Sequence, residues 1–215
     1  MNSFDLGERM MMLIPLILSL TVHEWAHAWS AFKLGDDTAS RMGRLNLNPL
    51  SHIDPIGTVL LPLMGIPFGW AKPVPVRPEN FRRDVNMRTG MAITAAAGPI
   101  SNLVLAFLSA AAFGLLLRFK PDFLVANEPL KLLLLVAIQM NVGLAVFNLL
   151  PIPPLDGSRI VERIIPPSLR EAWDGVTRYS PFILIGILFL GRGLLDGPIS
   201  FINHGLQVLI RAIAV

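Results

Sequence analysis

Residues Met10–Leu34 read MMMLIPLILSLTVHEWAHAWSAFKL, an apolar run into which His23, Glu24 and His27 are set. Ionisable groups are costly inside a membrane-length apolar segment, and where they occur they are usually functional. Residues four apart on an α-helix lie about 40° from one another around the axis and one turn along it, so both imidazoles can reach one metal ion from the same face. Glu24 follows His23 directly and borders that site. The spacing is that of His-Glu-x-x-His, in which the imidazoles hold Zn²⁺ and the glutamate serves as general base towards water.

The surrounding composition is that of a membrane protein. The chain has 215 residues, 53% hydrophobic and 15% charged, with mean hydropathy +0.59, against about 25% charged residues in ordinary soluble domains. Apolar stretches recur at Met10–Leu20, Met91–Leu117, Leu130–Leu150 and Phe182–Leu190, the last followed closely by Ile199–Val215. They predict an all-α polytopic membrane protein of about five transmembrane helices, forming one domain over residues 1–215 in a lipid bilayer. The C-terminal helices fall within residues 180–215, as two spans or as a hairpin within the membrane. A pI of about 9.8 would suit nucleic acid. The 18 Lys and Arg are instead dispersed among loops, as topology signals are, so no nucleic-acid partner is expected. With no Cys there is no disulfide framework or thiol nucleophile, and any metal must use N and O ligands. Asp5, Glu8 and Arg9 precede the first apolar run and no small-residue cleavage site follows, so this segment is read as a retained helix and not a signal peptide.

The first helix is predicted from about Leu6 to Leu34, with Gly35-Asp36-Asp37 as its stop. His27 lies seven residues from that end, which puts the motif roughly 10 Å inside one surface. Residues 36–88 are polar and turn-rich, with Pro at 49, 55, 62, 67, 73, 75 and 78. Thr58–Met64 is apolar enough to dip into the interface, and Val74-Pro75-Val76 resembles an edge strand, which predicts a short β or re-entrant element between the first two spans. The second span opens with Ala95-Ala96-Ala97-Gly98-Pro99, small residues that allow close approach of helices, and carries Asn102, suited to an interhelical hydrogen bond or a role in the site. The third ends at Asn148-Leu149-Leu150-Pro151-Ile152-Pro153-Pro154-Leu155-Asp156-Gly157, where the prolines forbid continuous helix. Broken backbone at membrane depth is tolerated where it is buried in protein or lines a watery cavity.

Loop charge sets the orientation. Seven Lys or Arg lie between Gly35 and Thr89, and Arg159, Arg163, Arg170 and Arg178 follow Asp156. The positive-inside rule makes both loops cytoplasmic, with the N-terminus outside. The motif and the broken segment then face the same leaflet.

A catalytic Zn²⁺ takes three protein ligands and leaves one position open. The third ligand here must be His, Asp or Glu. His52 sits among turn residues and His204 in the last apolar segment. Asp156 is better placed, after a proline-rich break that can turn a carboxylate inward, although an Asp between Pro-Pro-Leu and Gly also suits a turn or helix cap.

Several motifs follow one another in order: His23-Glu24-Trp25-Ala26-His27, Gly43 through Gly57 (GRLNLNPLSHIDPIG), Gly69 through Val76 (GWAKPVPV), Ala97-Gly98-Pro99 with Asn102, and Asn148 through Gly157. Together they resemble the site-2 protease family of intramembrane zinc metalloproteases, over roughly residues 10–165. The resemblance implies one Zn²⁺ per chain held by His23, His27 and Asp156, Glu24 as general base, and Asn148 near the metal, holding substrate or the developing oxyanion. No room remains for a PDZ or CBS domain, so the chain resembles the minimal, core-only members. The implied function is hydrolysis of peptide bonds in or near transmembrane segments, in regulated intramembrane proteolysis, at a bacterial cytoplasmic (inner) membrane. The partner is a membrane-protein or peptide substrate bound as an extended strand beside Val74–Val76. The competing readings are a membrane metal carrier or sensor using the same ligands, and a homologue that binds segments without cutting them. Trp25 and Trp29 are read as packing or interface anchors.

Overall fold

The computed structural model describes residues 6–66, 69–190 and 192–215; Pro67, counted above among the turn residues, lies outside these, as do Asp5 and the residues before it. Helix α1 (Leu6–Leu34) is followed by a short α2 (Thr38–Arg41), a π-helical turn (Pro55–Leu60) running into α3 (Leu61–Leu63), and then α4 (Met87–Phe119). Beyond it come α5 (Pro121–Ala126), α6 (Glu128–Asn148), α7 (Asp156–Ile164), α8 (Arg170–Leu190) and α9 (Arg192–Ala214).

Helix α1 ends where the sequence can reverse direction. Gly35 takes φ +113°, and the N–H groups of Gly35 and Asp36 donate to the carbonyls of Phe32 and Ala31, a glycine-dependent C-terminal cap. Asn86 caps α4, its side chain accepting from the N–H of Arg88 and Thr89. Among the described residues three helices, α1, α4 and α6, are long and apolar enough to cross a membrane. Helices α8 and α9, of 21 and 23 residues, occupy the C-terminal stretch, so five spans are not shown. The expected β element is not found: among the described residues no strand forms, and residues 70–77 run without a ladder partner. Proline explains this, since Pro73 and Pro75 remove two of the N–H groups a ladder needs.

The helices pack inside out relative to a soluble bundle. Ala28, Ala31, Ala95, Ala106, Ala110 and Ala145 are buried, whereas Ile14, Leu18, Ile100, Phe107 and Leu108 face outward. Small residues let backbones approach closely where lipid supplies no hydrophobic force between helices. Helix α4 is central, packing on α1, α6, α7 and α9, and Ala106, Val142 and Val146 form a core covered by Leu195, Ile199 and Ile202 of α9. Gly157 lets the broken segment close: a Cβ there would strike the carbonyls of Leu149 and Leu150. This close approach allows α7 to begin immediately under the end of α6.

Candidate metal centre

Helix α1 presents His23, Glu24 and His27 to the interior, all buried. The hydrogen bonds around the two rings determine their tautomers. Asn102 on α4 donates both amide hydrogens, to Asn141 Oδ1 of α6 at 2.8 Å and to the Ser19 carbonyl at 3.3 Å. Its Oδ1, 2.6 Å from His23 Nδ1, is therefore an acceptor, and His23 Nδ1 carries the proton. His27 Nδ1 lies 2.7 Å from the Thr94 carbonyl, which can only accept, so that nitrogen too is protonated. In the neutral rings both Nε2 atoms are left with lone pairs.

Those lone pairs converge. The two Nε2 atoms are 3.0 Å apart, and Asp156 at the start of α7 places Oδ2 3.2 Å from His23 Nε2 and Oδ1 3.4 Å from His27 Nε2. Asp156 Oδ2 is buried without a hydrogen-bond donor. Acceptors facing acceptors in a buried place repel unless a cation lies among them. Bonds of about 2.0–2.1 Å in a tetrahedral zinc site put ligand atoms about 3.3 Å apart, which these spacings match. The donor set of two imidazoles and one carboxylate fits Zn²⁺, with one position remaining for water or substrate.

Glycine shapes the opposite wall. A Cβ on Gly98 would lie 2.5 Å from His27 Nε2 and 2.6 Å from His23 Cε1, so α4 can press its backbone against the rings only without a side chain there. Next to it Pro99 lacks the N–H that the Ala95 carbonyl would accept.

Glu24 is oriented from the loop. Its Oε2 accepts the Val74 N–H at 2.7 Å, and the loop motifs hold Val74 there. Arg44, buried, donates to the Lys72 carbonyl at 2.7 Å, and the Lys72 N–H donates to the His52 carbonyl at 2.9 Å. Thr58 donates its hydroxyl to the Trp70 carbonyl at 2.7 Å. His52 is thus a buried scaffold residue, its Nε2 donating to the Asn46 carbonyl. His204 is exposed on α9. The Asn148 amide donates to the Leu144 carbonyl one turn back in its own helix.

The sequence reading missed the Thr94 carbonyl, Gly98 as a wall, Asn141 and the Val74 N–H. Asn141 had a signal, a lone amide in an apolar span, which is the feature that singled out Asn102. The backbone groups had none, because every residue type supplies them.

Fold and centre together define a class: integral membrane proteins built around a candidate metal site between helices. Comparison with known proteins makes it specific. The model described as "Peptidase family M50" matches residues 122–187, which include the broken segment. Over 180 residues the chain is 43% identical to "Putative zinc metalloprotease YwhC" of Bacillus subtilis, an alignment covering 83% of this chain and 80% of that one. It is 30% identical over 190 residues to "Putative zinc metalloprotease Rip2" of Mycobacterium tuberculosis, covering 87% and 70%. No solved structure matches. The chain belongs to peptidase family M50, the site-2 protease family of zinc metalloproteases.

Proposed function

We propose that this protein is an intramembrane zinc endopeptidase that cuts peptide bonds in or near the transmembrane segments of membrane-protein substrates, in regulated intramembrane proteolysis. The observation that carries this is the convergence of the two imidazole Nε2 atoms, 3.0 Å apart, on the Asp156 carboxylate, whose oxygens lie 3.2 and 3.4 Å from them, beside a glutamate held by a backbone N–H. His23, His27 and Asp156 would hold the zinc. Held there, zinc would supply Lewis acidity, which lowers the pKa of water towards about 7 and polarises a carbonyl.

The chain's own residues supply the rest. The Val74 N–H fixes one Glu24 oxygen and leaves the other, with its lone pairs, to accept a proton. As water adds to the scissile carbonyl carbon, Glu24 takes that proton; as the C–N bond breaks, Glu24 returns it to the leaving amine. Asn102 and the Thr94 carbonyl keep each imidazole in the tautomer that offers Nε2. Asn148, at the end of α6 eight residues before Asp156, is assigned to the substrate or the oxyanion, for which its amide has a second hydrogen.

A substrate helix must open before it can be cut, and the segment bearing Val74 suits the opened chain. Lys72, Val74 and Arg77 each precede a proline and are biased to extended backbone; Arg77 takes φ −117°, ψ 100°. Pro73 and Pro75 have no N–H, and the Arg77 N–H is used by Asp36. On the edge facing Glu24, the Val76 N–H makes no hydrogen bond to a described residue. A substrate strand paired there would lie beside the general base. We place the site toward the cytoplasmic leaflet of a bacterial inner membrane, with the N-terminus outside, on the loop charges.

The test is Glu24→Gln in the purified full chain. Zinc content should stay at one per chain while cleavage of a membrane substrate falls by about 10²–10⁴-fold, the usual contribution of a general base. Unchanged cleavage with zinc retained would sink the scheme and favour a metal carrier.

A further inference from the structure

Helix α7 packs along the N-terminal part of α4, and the Arg163 Nε at its far end donates to Thr89 Oγ1 at 2.7 Å. Near this contact, where the first turn of the span-length α4 meets α7 and the start of α8, lies a cavity of about 330 Å³, within the range of small-molecule sites. Three arginines from three different helices line it: Arg88 of α4, Arg159 of α7 and Arg170 of α8. Two carboxylates, Glu162 and Asp174, line it as well. Glu162 is already engaged, accepting from Arg159 at 3.1 Å and from the Trp173 indole N–H at 3.4 Å. Neither Arg88 nor Arg170 forms an ion pair with a described residue, although Asp174 borders the same cavity. Met87, Met91 and Ile165 supply an apolar side.

Two guanidiniums that line one cavity and form no ion pair with a described residue offer planar donors of the kind that phosphate oxygens match. The position is the end of a membrane span, where lipid head groups lie and where basic pockets between helices take anionic lipids. We propose that this cavity binds a phosphate group, and that the group is presented by an anionic phospholipid. The mixed lining decides between sources: arginines meet the phosphate, Met87, Met91 and Ile165 meet the glycerol and first acyl carbons, and the same cavity is lined by Trp173, a residue type that concentrates at bilayer interfaces. Free phosphate would use only the first of these surfaces. The bound lipid bridges α4, α7 and α8 and steadies the helix whose first residue is Asp156.

Native mass spectrometry of the full chain in neutral detergent, titrated with phosphatidylglycerol or with phosphatidylcholine, tests this. One phosphatidylglycerol should bind in preference to phosphatidylcholine. Each arginine near an anionic head group contributes about 1 kcal/mol, or about fivefold, so Arg88→Gln with Arg170→Gln should weaken that binding roughly 30-fold. Arg82→Gln with Arg83→Gln, which removes the same charge outside the cavity, should leave it unchanged. The milder Arg88→Lys with Arg170→Lys pair keeps the charge and the fold and should fall between. Millimolar inorganic phosphate that fails to displace the lipid identifies the lipid as the source. Inorganic phosphate that binds alone and displaces it identifies a free phosphate, by the same arginines. Equal binding of the two lipids, or equal loss in the Arg82 and Arg83 control, overturns the proposal.

Discussion

At the scale of single residues, the centre depends on groups that never touch the metal position. Asn102 has no spare hydrogen: both of its donors are used, and that alone forces its oxygen toward His23. Asn102→Ala would free the His23 ring to rotate and change tautomer. Zinc affinity, measured by competition with a chelating dye, should fall about 10–100-fold, as is usual when a ligand's orienting partner is lost. Asn141→Leu acts through Asn102 and should cost less, with the same sign. Gly98→Ala tests the opposite wall. Its new methyl would sit 2.5 Å from His27 Nε2, and because both the helix backbone and the rings are packed, the rings must yield. At least a tenfold loss of zinc affinity in a folded protein is the expected result, read by the same competition together with thermal unfolding.

At the scale of elements, the loop between α1 and α4 does what the expected β element would have done, without being one. Arg44, His52 and Thr58 hold residues 70–72 by their backbone, and this rigid course delivers the Val74 N–H to Glu24. Proline keeps the segment extended and strips donors from one edge, so only one edge remains for pairing. Val76→Pro should therefore raise KM for a membrane substrate several-fold. It should leave zinc content and kcat nearly unchanged, because the Val74 contact to Glu24 survives. A fall in kcat alone would assign the segment to the chemistry and not to docking. Helix α7 illustrates a different dependence. Its start beneath α6 requires Gly157, where any side chain would meet the carbonyls of Leu149 and Leu150, so the depth of Asp156 is set by a backbone contact one residue away.

At the scale of the whole molecule, the loop between α1 and α4 is tied to the end of α1 through Asp36. The residue is fully buried just past the end of α1. Its carboxylate accepts from the Arg77 N–H at 2.6 Å, the Asn80 amide at 3.0 Å, and the Thr38 N–H and hydroxyl. Burial by itself raises the carboxyl pKa, but these hydrogen bonds, the Arg77 N–H foremost, outweigh it and hold the group below its ordinary value. A depressed folded pKa adds stability that is fully present above the unfolded value of about 3.9 and is lost as pH falls through the lower folded value. Stability in detergent should accordingly be flat in this contribution near neutrality and decline only in acid, below about pH 4. Asp36→Ala should remove the acid-side decline and cost roughly 2–4 kcal/mol at pH 7, since several buried donors lose a charged acceptor. Chemical unfolding followed by tryptophan fluorescence measures both.

Much of this molecule is legible in one dimension because its information is local. The helix Leu6–Leu34, with its glycine stop and its His-Glu-x-x-His, follows from hydropathy, helical period and cap chemistry, all of which act over a few residues. The break before Asp156 follows from proline. The sequence left His52, His204 and Asp156 open as a third ligand, and the ordered motifs favoured the last. Only the packing of α4 against α1, α6 and α7 brings Asp156 to within 3.4 Å of both rings, across more than a hundred residues of chain. Only that packing assigns the tautomers and turns Gly98 into a wall, and only the long-range hydrogen bonds of Arg44, His52 and Thr58 send the Val74 N–H to Glu24. These contacts are made by backbone groups and by residues distant in sequence, and such pairings depend on how rigid helices meet in three dimensions, which no local pattern records.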